Sequence, residues 1–559
     1  MLRSFHSRIV LCAMSALIVG SSCQGRSDRA SGGRPAGENA PAAFPLEEAT
    51  IAGLQDMMAS GKATSESLVS LYLERIDEID RSGAGLNAVI ETNPDALAIA
   101  RELDKERKEK GPRGPLHGIP ILIKDNIDTA DKMETTAGSL ALLGSKPAKD
   151  AFLVERLREA GAVILGKTNL SEWANFRSSQ STSGWSGRGG QTHNPYALDR
   201  NPSGSSSGSA AAVSANLVAV AVGTETDGSI VSPASCCGIV GLKPTVGLVS
   251  RSGIVPIAHS QDTAGPMART VADAATLLGA MAGPDPNDAA TQVNGIRIFQ
   301  DYRDFLKPGG LRGARIGVLR ARAFNFSKKL DPILQNAIEA MKREGAEIVD
   351  PVEFPTLGKT DDSEYEVLLY EFKADLEAYL AARPGSSART LADLIAFNET
   401  NAGREMSFFG LETFERAAKK GPLTEKAYVE ALAKDRELMG EKGIDAVLAE
   451  HKLDALVVLT NGPAHLTDLV NGDSFSGSSS SPAAVAGYPT ITLPAGYVFG
   501  LPVGVSLIGR AWSEPELIRL AFGLEQALGM RKAPRLLATV ELPPTGPFEA
   551  GVGGRGKDR

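Results

Sequence analysis

Apolar residues recur at helical spacing near the start of the patterned part of the chain. Leu68, Tyr72, Ile76 and Ile79 lie three or four residues apart within the segment 64–80. Side chains at that spacing share one face of an α-helix, so the segment predicts an amphipathic helix.

Two further helices are predicted from the residues at their ends. Asn93 can cap a charged helix that has the following proline in its first position and ends near Gly111. Asp150 can cap the helix 151–160, which Gly161 ends.

Short apolar runs alternate with these helices, and the alternation predicts an α/β protein. A small-residue helix at 209–216 lies between two of the runs, and the region 325–450 is mostly helical and richer in charge. No linker or internal repeat divides the chain after residue 45, which favours one large α/β domain. The predicted strands are 117–126, 162–167, 217–222, 455–460 and 488–497.

The first 22 residues predict an export signal. A positive start with Arg3 and Arg8 precedes an apolar run, residues 9–19, that is too short to span a bilayer. Cys23 follows three small residues, as does the lipid-attachment cysteine of a bacterial lipoprotein signal. We expect an exported chain in the periplasm or cell envelope, with membrane contact only through lipid on Cys23. The alternative is an ordinary cleaved signal with a chance cysteine, and the mass of the mature amino terminus distinguishes the two.

The composition of the full chain is that of a soluble globular protein. Hydrophobic residues make up 42% and charged residues 23%, which excludes disordered and fibrous classes. The formal net charge is −8, so binding of nucleic acid through bulk charge is not expected. Residues 23–45 are interpreted as a flexible tether, 46–540 as the domain and 541–559 as a flexible tail.

Cysteine and histidine usage predicts neither a disulfide framework nor a metal centre. After export and lipid attachment, only the neighbours Cys236 and Cys237 would remain free, and neighbours can form only a strained disulfide. We interpret them as two small buried residues. The six histidines are scattered without metal-ligand spacing, so no metal centre is expected.

Three polar segments are candidates for chemistry. Lys124 ends an apolar strand, and a desolvated lysine is a usable general base near pH 7. The loop 201–209 (NPSGSSSGS) opens onto a helix, and the turn 223–230 (GTETDGSI) follows a strand. Turns at the carboxyl ends of strands are where α/β proteins place their sites. Lys167 has the same local pattern as Lys124. Alone, each segment also fits a plain alternative: a surface lysine, a flexible loop or an ordinary turn.

Together the three segments resemble the amidase signature family. Its core has a lysine after an apolar strand, a Gly-Ser-Ser-Gly loop, and a Gly-Gly-Ser turn that carries the nucleophile; Lys124, Ser205 and Ser229 fall on these positions in order. The resemblance covers about residues 46–530 and implies one large domain with a mixed β-sheet covered by helices on both faces. The segments 183–190, 223–229 and 474–484 look like the bacterial peptide amidases.

The resemblance implies a mechanism without metal or cofactor. Ser229 would attack an amide carbonyl, while Ser205, on a cis peptide bond, would relay its proton to neutral Lys124. Ammonia would leave and water would release the acyl group. Backbone amides of the turn would stabilise the oxyanion. These amides belong to Thr226, Asp227, Gly228 and Ser229.

The chain departs from the family pattern at several positions. Asp227 replaces a glycine of the turn, and Ser203 and Ser207 replace two glycines of the loop. The arginine that some members carry just after the nucleophile is missing, which argues against a small acidic substrate. We therefore expect a linear carboxamide as substrate, namely the C-terminal amide of a peptide, and no obligate protein partner. Residues 369–380 either line the pocket or pack in the core.

Three rival interpretations remain open on the sequence alone. The sequence around Ser206 also matches the nucleophile elbow of an esterase, and His465 lies late enough to complete its triad. That motif needs a preceding strand, whereas residues 192–202 are typical of a loop. The second rival is the amide-transferring subunit that makes glutaminyl-tRNA, which shares the signature but needs a cytoplasmic partner. The third is a non-catalytic lipoprotein that binds peptides on the same scaffold.

Overall fold

The computed structural model describes residues 44–293, 298–320, 324 and 326–542. The predicted export signal and Cys23 lie outside the described residues, as do the tether and the tail except for two residues of each. From Leu46 onward the described residues form one compact unit. In this part of the chain no helix is long and apolar enough to cross a bilayer.

A mixed sheet of eleven strands forms the centre of the unit, and two further strands form a separate ribbon. The strands are β1 (Val89–Thr92), β2 (Pro120–Lys124), β3 (Val163–Thr168), β4 (Trp185–Ser186), β5 (Gly190–Gln191), β6 (Val220–Glu225), β7 (Val240–Lys243), β8 (Thr263–Ala268), β9 (Arg315–Val318), β10 (Glu347–Val349), β11 (Ala455–Leu459), β12 (Thr490–Val498) and β13 (Leu501–Ile508). Their spatial order is β1-β3-β2-β6-β8-β7-β12-β13-β11-β9-β10, and β4 pairs with β5.

Helices flank the sheet, so the predicted α/β class with a mixed sheet is confirmed. The helices are α1 (Ile51–Ala59), α2 (Ser65–Arg75), α3 (Ala96–Lys110), α4 (Phe152–Glu159), α5 (Ser207–Ser214), α6 (Val231–Cys236), α7 (Val271–Met281), α8 (Asp331–Arg343), α9 (Asp361–Ala382), α10 (Leu391–Thr400), α11 (Ala402–Glu405), α12 (Glu412–Ala418), α13 (Lys426–Asp435), α14 (Ala446–Glu450), α15 (Ser481–Ala486) and α16 (Glu514–Leu528). Between residues 331 and 450 the described elements are helices, apart from the short strand β10.

Three parallel strands position the candidate site. β2 pairs in parallel with β3 on one side and with β6 on the other, and every residue of the three is buried. Parallel strands covered on both faces need near-continuous apolar runs, and these runs are what the sequence contains. Because the strands share one direction, the carboxyl ends of β2 and β6 meet at the same edge of the sheet.

Two predicted helix caps are wrong. The helix α4 has Ala151 as its cap, because the Asp150 carboxylate instead accepts hydrogen bonds from Ala130 N at 2.7 Å and Arg158 Nε at 2.8 Å. The helix α3 begins two residues later than predicted. The Asn93 side chain closes the preceding turn by accepting from Asp95 N at 2.9 Å.

The serine-rich helix and the following strand are also displaced from their predicted limits. The helix α5 begins at Ser207, not at residue 209, and β6 begins at Val220, not at residue 217. Asn216 adopts a left-handed conformation with φ 60°, and Leu217 N donates back to Ala212 O at 2.9 Å. Residues 216–219 therefore form the helix-to-strand turn. Elsewhere, the predicted helix 64–80 and the burial of both remaining cysteines are confirmed.

Close packing at α5 gives a stability prediction. A methyl group on Gly208 would lie 2.2 Å from Ala88 O and 2.5 Å from Asn169 O, and neither backbone atom can rotate away. Gly208→Ala is expected to destabilise the fold by about 1–3 kcal/mol or more, measured as a lower melting temperature. Gly403→Ala in α11, where no atom lies within 4 Å of the new methyl group, is the matched control. Equal melting temperatures for the two variants would contradict this packing.

Candidate active site

The lysine at the end of β2 is buried against two hydroxyl groups. Lys124 Nζ donates to Ser205 Oγ at 2.7 Å and to Thr224 Oγ1 at 2.9 Å, and the residue has no exposed surface. Asn126 Nδ2 donates to the same Thr224 oxygen at 3.0 Å. The structure thus brings together the lysine and the loop serine that the sequence analysis selected.

Burial lowers the pKa of Lys124 to about 7, because the charged ammonium loses its hydration. The negative charges of Asp262 and Glu225 act in the opposite direction and favour the ammonium form. The neighbouring Asp125 points away, where its carboxylate accepts from the Thr136 hydroxyl, as strand alternation predicts. A substantial fraction of the amine is therefore neutral at pH 7 and can accept a proton.

The serine-rich loop is fixed to its surroundings by the backbone. The Gly204–Ser205 peptide bond is cis, as the family resemblance implied. Ser205 O accepts from Ser171 N at 3.1 Å, and a Cβ on Gly204 would lie only 2.2 Å from Ser171 Oγ. These contacts hold the Ser205 side chain at Lys124.

The turn after β6 carries Ser229 and is organised by the side chain of Glu225. The Glu225 carboxylate accepts from Ile230 N at 2.6 Å and from Val231 N at 3.0 Å. Ser206 N donates to Ser229 O at 3.1 Å, which ties the serine-rich loop to the turn. Ser229 retains 8% exposure, whereas Ser205 has none. Of the two serines, Ser229 is therefore the one that a bound molecule can reach.

The backbone amides of the turn are available for an anion. Those of residues 226–229 find no acceptor among the described residues. Gly228 has a left-handed φ of 78°, and a Cβ on it would lie 2.9 Å from Ser480 Oγ. Successive amides left free in a turn next to a nucleophile can stabilise a developing oxyanion. The four predicted oxyanion residues are thus consecutive in one turn, and the last of them is the candidate nucleophile Ser229.

Thr224 and Asp262 are functional candidates that the sequence analysis missed. Thr224 bridges Lys124 and Asn126 from the end of β6, and the meeting of neighbouring parallel strand ends could have indicated it. Asp262 accepts from Thr226 Oγ1 at 2.5 Å and from Ala258 N at 2.9 Å. Burial raises the pKa of Asp262 to about 6. No local sequence pattern marks Asp262, because its partner lies 36 residues away.

A cleft of about 350 Å³ opens at Ser229. Asp227 is the one ionisable side chain in its lining, and no cation lines it among the described residues. The segment 369–380 packs mainly in the core through Leu369, Phe372 and other apolar side chains, while Leu368 contributes to the cleft. The apolar wall of the cleft consists of Ala174, Phe176, Ile257, Leu368 and Phe475. The hydroxyl wall of the cleft consists of Ser203, Ser229, Ser232, Ser478, Ser480 and Ser481.

The residues of the rival elbow do not form a triad. Ser206 Oγ donates to Thr224 O at 3.0 Å and accepts from Thr224 N at 3.2 Å. The hydroxyl is therefore occupied by the backbone both as donor and as acceptor. The imidazole of His465 is hydrogen-bonded to Asp473 instead, with 3.2 Å between Nε2 and Oδ1. The segment 192–204 that precedes Ser206 contains no strand. These contacts make Ser206 a structural residue.

One cluster of potential metal ligands occurs among the described residues, formed by His259, Glu371 and Asp375. The two imidazole nitrogens of His259 face different carboxylates, Nδ1 with Asp375 at 2.9 Å and Nε2 with Glu371 at 3.3 Å. The hydrogen bond that His259 donates to the Asp375 carboxylate raises the pKa of His259. This arrangement fits an ion-paired imidazolium that connects a loop to α9 better than a metal centre.

Comparison with known proteins identifies the class. The amidase family model matches residues 67–518. A probable amidase of Arabidopsis thaliana is 47% identical over 504 residues, which cover 89% of this chain and 93% of the relative. A subunit of the glutamyl-tRNA(Gln) amidotransferase of Myxococcus xanthus is 36% identical, over 86% of this chain and 97% of its own length. The chain therefore belongs to the amidase signature family and is an amide-hydrolysing enzyme.

Among solved structures, the chain is similar to the native peptide amidase of Stenotrophomonas maltophilia. The two are 53% identical with a TM-score of 0.85, and the match covers 88% of this chain and 99% of the other. A peptide amidase solved with the competitive inhibitor chymostatin is 54% identical, also with a TM-score of 0.85. That match covers 88% of this chain and 100% of the peptide amidase.

The lowered pKa of Lys124 predicts a cost in stability. Between pH 7 and 10.5 the unfolded chain binds a proton that the folded chain does not, so stability rises with pH across this window. Lys124→Met is therefore expected to melt at a higher temperature than the wild type at about pH 6, and the difference should shrink toward pH 10. The lowered pKa of Lys124 corresponds to a folding cost of about 4–5 kcal/mol for the charged amine. This cost exceeds the free energy of the hydrogen bonds that the methionine cannot make, at about 1 kcal/mol each. Melting scans over pH measure it.

The exposed Lys62 provides the matched control for this experiment. Lys62→Met removes the same charge without a buried amine, so its melting temperature should follow that of the wild type at every pH. A Lys124→Met protein that melts below the wild type at pH 6 would overturn the burial argument.

Proposed function

We propose that this enzyme hydrolyses the C-terminal carboxamide of peptides and releases ammonia through an acyl-enzyme on Ser229. The observation that carries the proposal is the 2.7 Å hydrogen bond from buried Lys124 to Ser205, in a loop that is hydrogen-bonded to the Ser229 turn. A lysine with a pKa near 7 at a serine pair is suited to accept a proton from a nucleophile.

The proposed reaction has two stages. Ser229 Oγ attacks the carboxamide carbon while its proton passes to Ser205 Oγ, and the Ser205 proton passes to neutral Lys124. The oxyanion is stabilised by the free amides of residues 226–229. The relay then protonates the departing nitrogen, and ammonia leaves an ester on Ser229. A water molecule attacks this ester by the same relay and releases the peptide acid.

Three features support a neutral terminal amide as the substrate. No cation lines the cleft among the described residues, so a substrate carboxylate would find no partner there. The one charged lining residue, Asp227, would repel such a carboxylate. Leaving a carboxylate unpaired in a partly desolvated cleft costs several kcal/mol. The similarity to the S. maltophilia peptide amidase agrees with this substrate class.

The amidotransferase interpretation receives less support. The Myxococcus xanthus protein is 36% identical, compared with 53% for the peptide amidase structure. The export signal expected from residues 1–22 is also incompatible with a partner in the cytoplasm. We therefore favour the hydrolase.

The proposed relay predicts which substitutions abolish turnover. Ser229→Ala should remove ammonia release and covalent labelling by a fluorophosphonate probe, and Lys124→Ala should reduce turnover by at least about hundredfold, within the range of a lost general base. In the wild type, kcat/KM should rise with pH through about 7, because only the neutral amine accepts a proton. Ammonia release measured over pH tests both statements.

Ser478→Ala is the control for the labelling experiment. Ser478 lines the same cleft, with its hydroxyl 3.1 Å from that of Ser480, so its loss should leave labelling of Ser229 intact. If Ser206→Ala instead abolished turnover while Ser229→Ala remained active, the esterase elbow would replace this proposal.

Substrate selectivity is tested with three compounds that differ near the scissile bond. An amidated dipeptide should be the best substrate, because the restriction to terminal amides must come from the shape of the cleft on the leaving-group side. The same peptide extended by one residue beyond the scissile bond, and a malonamate-type acid amide, should each have kcat/KM lower by about hundredfold or more. If either is the best substrate, the enzyme is an amidase of another specificity.

A further inference from the structure

A buried carboxyl group of the helical region lies beside the oxyanion turn. Glu364 in the first turn of α9 is 9% exposed, and its Oε1 accepts from Gln261 Nε2 at 3.0 Å. The same Gln261 nitrogen donates to Thr226 O at 3.4 Å. Glu364 is therefore connected through one side chain to the backbone that carries the free amides.

A second contact joins Glu364 to the turn itself. Asp227 Oδ2 accepts from Ser481 Oγ at 2.6 Å, whereas Oδ1 is buried and finds no N–H or neutral hydroxyl donor among the described residues. The Glu364 carboxyl lies within hydrogen-bond reach of the Asp227 carboxyl. Two carboxyl groups in hydrogen-bond contact cannot both be ionised, so one of them carries a proton.

The surroundings identify which carboxyl holds the proton. Glu364 is buried and also faces Asp435 of α13, whose Oδ1 accepts from Ser363 Oγ at 2.5 Å. None of the three carboxyls forms an ion pair with a lysine or arginine among the described residues, although Lys243 and Lys434 act on Asp227 and Asp435 from further away. Burial, and then the charges of Asp227 and Asp435, raise the pKa of Glu364 well above its usual value.

We propose that Glu364 is a positioning residue: as a neutral carboxylic acid it donates a hydrogen bond to Asp227 and so fixes the turn that bears Ser229. The proposal deepens the proposed amidase function and rests on it. The neutral acid uses both of its oxygens, accepting from Gln261 and donating to Asp227. Gln261 restrains Thr226 at one end of the free amides, and Asp227 is the next residue.

Ionisation of Glu364 would remove this support. An ionised Glu364 has no proton to donate and places a second negative charge against Asp227, which would push the turn away from α9. We therefore expect activity to fall on the alkaline side, in addition to the rise through about pH 7 that Lys124 controls. Because the pKa of Glu364 is raised in the folded protein, the free energy of unfolding also decreases as pH increases toward that pKa.

The conservative substitution separates a proton-donor role from simple packing. Glu364→Gln keeps an acceptor for Gln261 and an N–H₂ donor for Asp227 but cannot ionise. It should retain kcat within about threefold of the wild type, lose the alkaline fall in activity, and show a flatter decline of melting temperature with pH. Glu364→Leu should lower kcat at least tenfold with a smaller change in KM.

Glu366→Gln on the same helix is the matched control, because Glu366 pairs with Lys420 away from the turn. It should keep the wild-type pH profiles of activity and melting. The proposal is overturned if Glu364→Gln is as impaired as Glu364→Leu, or if it retains the alkaline fall. A wild type that releases no ammonia from amidated peptides would instead count against the proposed substrate, and the melting profiles would still test the proton on Glu364.

Discussion

The desolvation of one amine is the constraint on which the rest of the site depends. Lys124 can act as a base only while bulk water is kept from it, and the interior end of a parallel strand keeps it dry. The same burial would leave the amine without partners if Ser205 and Thr224 did not accept from it. Nearby carboxylates must remain few or be occupied elsewhere, since each added charge favours the ammonium form.

The sheet explains how residues distant in sequence meet at this amine. Ser205 and Ser229 are 24 residues apart, and the chain between them forms one helix and one strand. The helix α5 carries the chain about 12 Å away from the site and β6 returns it over about 20 Å, by their respective rises per residue. Because β6 lies parallel to β2, the returning strand ends beside Lys124. The fixed spacing of the two serines is thus the length of one helix-to-strand unit.

What could be predicted from the sequence was local. The alternating runs indicated the strands and the burial of Lys124, and the family resemblance selected the serines that the structure groups with it. The cap at Asp150 was wrong because its carboxylate has a competing partner in Arg158, which propensity does not reveal. The cap at Asn93 was wrong because its side chain closes a separate turn, and the helix begins only at Ala96. Asp262 and Glu364 were missed because they reach the turn from distant segments without any motif.

The charge balance of the cleft connects these missed residues to the chemistry. In the proposed reaction an oxyanion forms on amides that lie within a few residues of Asp227, and a neutral base must persist nearby. Every uncompensated carboxylate in this region opposes both requirements. Asp262 is held by Thr226 and two backbone amides, and a proton on Glu364 removes a further negative charge while retaining its hydrogen bonds. In the proposed reaction the helical region therefore contributes a neutral group: α9 packs Glu364 against the turn as a protonated carboxyl, which adds no negative charge beside the oxyanion.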